Sequence, residues 1–131
     1  MIPMSKVNSK KIMSLVAIVA LVAILGICLV ACNADSVGKS LEKKDYNVVT
    51  LTENSGTTGR IIYGIAKNIG DFKEGVFATK GTNYVAVIWY ETLDGAKEAE
   101  EAFKANPVTP VVHRADKVVY AGTQQGVKDA R

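Results

Sequence analysis

From Ile12 to Ala31 the chain runs twenty residues without a charge, and the run stops at Cys32. Nothing else in the sequence restricts the fold as much, because a stretch this apolar cannot lie on the surface of a small domain. As a helix rising about 1.5 Å per residue it reaches roughly 30 Å, the hydrocarbon thickness of a bilayer. Ahead of it, Met1 to Lys11 is polar and carries Lys6, Lys10 and Lys11 but no acid. A basic opening, an apolar centre and small residues before a break form the three-part pattern of a secretory signal. The apolar centre is longer than the usual ~7–15 residues of such a signal, so a retained membrane span is the competing reading. Either way, the opening lysines hold the amino terminus in the cytoplasm, and everything after Cys32 is expected outside.

The end of the run reads "LGICLVACNADS" and holds both cysteines of the chain. Leu29-Val30-Ala31-Cys32 resembles the lipobox of bacterial lipoproteins: Leu, a small or branched residue, Ala or Gly, then Cys. The resemblance covers residues 1–32. It implies a diacylglyceryl thioether on Cys32 and cleavage just before it by the lipoprotein signal peptidase. Cys28 does not fit the same pattern, because the bulky branched Ile27 precedes it. Two or three acyl chains anchor firmly where one binds only marginally. Ending the run at Cys32, with no later cysteine, also spares an exported chain an unpaired thiol. The tail "DKVVYAGTQQGVKDA" is loosely similar to the endings of small lipoproteins of Gram-positive bacteria, which implies no activity.

The formal charge of +3 does not belong to the part that folds. Three of the 16 basic residues precede the run, which leaves 13 against 13 acids after Cys32. Binding to nucleic acid draws on a surplus of Lys and Arg. No nucleic-acid partner is expected.

The expected division is residues 1–31 as signal peptide or span, 32–41 as lipidated cysteine and polar tether, and 42–131 as a small domain. Eight tether residues, "NADSVGKS", span at most roughly 26 Å. "NVVTLT" (47–52) reads as a strand by its β-branched content. "ENSGTTG" (53–59) is turn chemistry, with Thr57 or Thr58 as a helix cap. Ile61, Ile62, Ile65, Ala66 and Ile69 recur at helical spacing before Gly70. Val76–Lys80 and Tyr84–Glu91 read as a hairpin about Gly81-Thr82-Asn83, the second strand apolar on both faces. Thr92 and Asp94 open a helix that buries Leu93, Ala96, Ala99 and Phe103 and stops at Asn106-Pro107. "VVHR" and "KVVYAGT" come next as strands, and Thr123 caps a last helical turn. This order predicts an α+β domain with a ferredoxin-like split βαβ antiparallel sheet, helices on one face and the other face open.

Residues that carry chemistry are few. "SGTTGR" lacks the spacing and the lysine of a phosphate-binding loop and reads as a turn before a helix. His113 is the sole histidine, and metal ligands beside it would have to be scattered carboxylates, so no metal or cofactor is expected. A Ser55–His113 nucleophile–base pair stays open, since tertiary neighbours do not show in a sequence. Glu98, Glu100 and Glu101 sit among lysines as a solvated helix face. Tyr84, Trp89 and Tyr90 are the candidate ligand face. Adjacent strand residues point to opposite sides, so one of Trp89 and Tyr90 is expected to meet the open side of the sheet.

The leading functional expectation is a lipid-anchored extracytoplasmic module, non-enzymatic, holding a protein, peptide or envelope component near the membrane. The rivals are a small envelope enzyme or ligand-binding protein using the aromatic face, and an uncleaved single-pass membrane protein.

Overall fold

The computed structural model describes residues 33–131. The apolar run, Cys28, Leu29, Val30, Ala31 and Cys32 lie outside the described residues. Among the described residues, no helix is long and apolar enough to cross a membrane.

The described residues open on helix α1, Ala34–Glu42. Asn33 caps it: its Oδ1 accepts from the Ser36 N–H at 2.9 Å while Ser36 Oγ accepts from the Asn33 N–H at 3.1 Å. This reciprocal pair satisfies two of the donors that a helix start leaves orphaned. The expected tether is therefore corrected: residues 34–42 are helix, and Val37, Gly38 and Leu41 are buried. Polar residues fill the exposed face, which makes the segment read as a linker, but a four-residue spacing puts Val37 and Leu41 on one stripe.

Five strands come after it, interleaved with three helices. They are β1 (Asn47–Thr50), α2 (Gly56–Lys67), β2 (Phe72–Lys80), β3 (Asn83–Tyr90), α3 (Leu93–Lys104), β4 (Val111–Ala115), β5 (Val118–Gly122) and α4 (Gln124–Ala130). They build one antiparallel sheet in the order β1-β2-β3-β5-β4. The α+β class and the antiparallel sheet are as the sequence predicts. The ferredoxin-like arrangement is realised only in part. β3 and β4 run the same way with β5 between them, so β3-α3-β4 is one split βαβ unit. β1 and β2, joined by α2, instead pair directly and antiparallel, so no second split unit forms. The reason is local. The two-residue turn at Gly81-Thr82, with Gly81 at φ +61°, locks β2 onto β3, and β5 takes the other flank of β3.

The helices are not confined to one face, which is the second correction. Ile62 and Ala66 of α2 and Ala96, Ala99 and Phe103 of α3 bury one face with Phe77, Ala86, Ile88, Tyr90, Val119 and Ala121. The opposite face carries Val76, Ala78, Val85 and Val87, all buried, and α1 and α4 pack over it. Two hydrophobic positions of the helical pattern fall outside the core: Ile61 is 42% exposed and Leu93 37%.

The end helices are clamped to each other. Tyr46, just after α1, donates from its hydroxyl to the Asp129 carboxylate of α4 at 2.7 Å, and Lys44 Nζ donates to the Asp129 carbonyl at 2.6 Å. Burial first, then the bond to Asp129 and its charge, pushes the Tyr46 phenol up to about 12. The same bond holds the Asp129 carboxyl below its ordinary range.

Two outcomes are expected. Leu41→Ala destabilises the domain by about 2–5 kcal/mol in urea unfolding, the cost of truncating a packed core leucine. A tether at this position would make the change silent. Because the Tyr46 phenol ionises later in the folded state, its contribution is present below pH ~10 and is lost as pH rises toward 12. Tyr46→Phe therefore loses less stability over that interval than wild type, by up to about 1.4 kcal/mol per pH unit in parallel urea titrations.

Candidate functional site

The covering of the sheet fails in one corner. α2 starts beside the hairpin end of β2 and β3, and the last cross-strand pair on its face, Thr79–Tyr84, is only half-buried. A cleft of about 410 Å³ opens there, between the first turn of α2 and the Gly81 turn. Phe77 and Tyr84 form its aromatic side, ring centroids 6.1 Å apart and tilted by 44°. Thr57, Thr58 and Thr79 supply its polar side, and none of its lining residues is charged.

The cleft is held open by its own frame. Ser55 is buried and ties the end of β1 to the start of α2: its hydroxyl donates to the Thr50 carbonyl at 2.9 Å and accepts from the Thr52 N–H at 2.8 Å. Ser55 holds the cap position of α2, and Thr57 and Thr58 lie inside the helix, so neither is the expected cap; the Ser55 side chain makes no cap bond, and no acid sits in that first turn. Gly59 lets α2 approach the sheet, since a Cβ there would stand 2.5 Å from Ser55 Cβ and 3.0 Å from Phe77 Cδ2. Tyr84 donates from its hydroxyl to the Val108 carbonyl at 2.5 Å, which fixes the ring.

The structure separates the residues that the sequence singled out. Tyr84 lies on the cleft. Tyr90 is in the core, its hydroxyl donating to the Ala66 carbonyl at 3.2 Å, and burial raises its pKa far above the ordinary phenol value. Trp89 points to the other face and is only 8% exposed. The expected open aromatic face is thus corrected: both faces are covered, and Trp89 and Tyr90 offer no stacking surface.

Ser55 and His113 are not brought together. Ser55 comes after β1 and His113 lies on β4, and these are opposite edges of a five-stranded sheet roughly 19 Å wide at about 4.8 Å per strand spacing. His113 faces Tyr120 at 6.0 Å between ring centroids. Burial is the main cause lowering its pKa, with Arg131 and Arg114 adding to it against the opposing pull of Glu100. Glu98 and Glu101 are exposed as expected, but Glu100 is not simply solvated. It pairs with Arg114 at 2.8 Å and Lys104 at 3.2 Å, and its bond to Arg114 chiefly lowers its pKa. Asp71, which the sequence did not single out, accepts from both the N–H and the hydroxyl of Thr92 at the start of α3, and the hydroxyl bond leads in lowering its pKa. These carboxylates hold helices in place. Among the described residues, no group of three or more His, Cys, Asp or Glu is placed to hold a metal ion.

A second, smaller groove of about 240 Å³ runs between α1 and the edge strand β1, over Gly38, Val48 and Val49. Its rim carries the exposed Asp35–Lys39 pair at 3.6 Å. No family model, curated protein or solved structure matches this chain.

The cleft was only half legible in sequence. Tyr84 stood out as an aromatic, but Thr57 and Thr58 looked like capping residues, and Thr79 like an ordinary strand position. Gly59→Ala is expected to destabilise the domain by about 1–3 kcal/mol, the usual cost of overpacking, read as a lowered thermal midpoint. An unchanged midpoint would mean that α2 stands further from Phe77 than described.

Proposed function

We propose that this chain is a lipid-anchored extracytoplasmic binding module, non-enzymatic, that works at the membrane surface. Residues 1–31 act as a lipoprotein signal peptide, and Cys32 carries the lipid. One observation supports this reading above the others: Asn33, immediately after Cys32, is the side-chain cap of α1, whose Val37 and Leu41 are buried in the domain. Cleavage before Cys32 would remove the apolar run and leave the domain whole, with the anchor one peptide bond from the cap of α1.

The absence of a spacer bears on the mode of action. One residue spans at most ~3.6 Å, so the module would be held against the lipid headgroups rather than swung out from them. The paired carboxylates and the tyrosine clamp are engaged with helix starts, strands and end helices. Their arrangement serves cohesion, which fits a role in binding a protein, peptide or envelope component.

Metabolic labelling with an alkyne fatty acid in a bacterial host tests the anchor. Wild type should take up label and lack Met1–Ala31 by mass spectrometry, and Cys32→Ala should be unlabelled and keep the full length. Unlabelled, full-length wild type would reject the anchor and favour a single-pass protein with the same outward domain.

A further inference from the structure

We infer that the hairpin-end cleft binds a neutral saccharide unit. This names a ligand class for the proposed binding module and rests on that reading, but not on the lipid at Cys32. The cleft's volume of about 410 Å³ falls within the ~300–1,000 Å³ range of small-molecule sites. The hydroxyls of Thr57, Thr58 and Thr79 make no hydrogen bond to other described residues, so their donors and acceptors face the cleft or solvent uncommitted. A hydroxyl both donates and accepts. Such a set suits ligand hydroxyls, which also do both.

The aromatic side completes the match. A pyranose ring is amphipathic, with hydroxyls around its rim and C–H groups on its faces. The electron-rich face of Tyr84 accepts such C–H groups, and its orientation is already fixed by the bond to Val108. A platform that does not have to be ordered on binding loses less entropy.

Other classes fit less well. With no charged side chain lining the cleft, a cationic ligand would find no counter-charge and an anion only the partial positive charge of the α2 start. An extended peptide would need a free row of main-chain groups, yet β2 is paired by β1 and β3, and β3 by β2 and β5.

The test uses full-length protein in a zwitterionic detergent without a sugar headgroup, and saturation-transfer NMR observed on the ligand. Glucose, galactose and N-acetylglucosamine are the probes, with inorganic phosphate and acetate as charged comparisons. Saturable transfer from at least one sugar is expected, stronger than from either anion. Thr58→Val and Thr79→Val should each weaken it about fivefold, near the value of one neutral hydrogen bond. Tyr84→Leu should abolish it, while the exposed distant change Lys117→Gln leaves it intact. Circular dichroism melts confirm that each variant is folded, and the two threonine variants keep the test valid if Tyr84→Leu unfolds. No saturable transfer from any sugar at tens of millimolar, a preference for phosphate or acetate, or unchanged binding in folded Thr58→Val and Thr79→Val would each overturn the assignment. Cys32→Ala should bind as wild type does, so failure of the anchor and failure of the sugar site read out separately.

Discussion

The fold depends on a strand that is apolar on both faces. Val85, Ala86, Val87, Ile88, Trp89 and Tyr90 are consecutive and all buried. Adjacent side chains on a strand point to opposite sides, so neither face of β3 tolerates water. At about 25 cal/mol for each Å² of apolar surface removed from water, two covering layers are strongly favoured over one. α2 and α3 cover one side. On the other side the cover comes from the two ends of the described chain, α1 and α4.

That demand explains the features around it. A helix that has to pack needs a defined start, and Asn33 with Ser36 provides it. Two end helices that share a face need to be held in register, and Tyr46, Lys44 and Asp129 do so across more than eighty residues of sequence. The last strand enters α4 through Thr123, which caps that helix and also bonds the Tyr84 main chain at the hairpin end of β3. The cleft is the exception to the covering. α2 leaves the Thr79–Tyr84 pair half-exposed, and the hydroxyl-rich first turn of the helix borders the gap. The same layer that buries the core thus shapes the site.

Much of this was open to reading from residue order. The strand and helix positions reflect β-branched runs and helical spacing, and Thr92 and Thr123 cap the helices as their chemistry predicts. α1 was not legible, because Val37 and Leu41 are only two apolar residues in a polar segment, and their burial depends on a partner face far along the chain. The strand order was not legible either. β4 and β5 look alike as short apolar strands, and which one flanks β3 is decided by pairing across the sheet. The apolar character of Val85, Val87 and Trp89 was the available sign that the second face needed a cover.

Amino-acid order alone determined the charge-free run that ends at Cys32, the neutral charge balance of residues 33–131 and the local periods of most elements. These are properties of neighbours along the chain, carried by side-chain chemistry and backbone geometry. Tertiary structure alone decided that α1 belongs to the domain, that both sheet faces are closed, that Trp89 and Tyr90 are core, and that Tyr84 meets three threonines in one cleft. Those outcomes depend on contacts between distant segments, which form only when burying the two faces of β3 outweighs the entropy lost in bringing the chain ends over them.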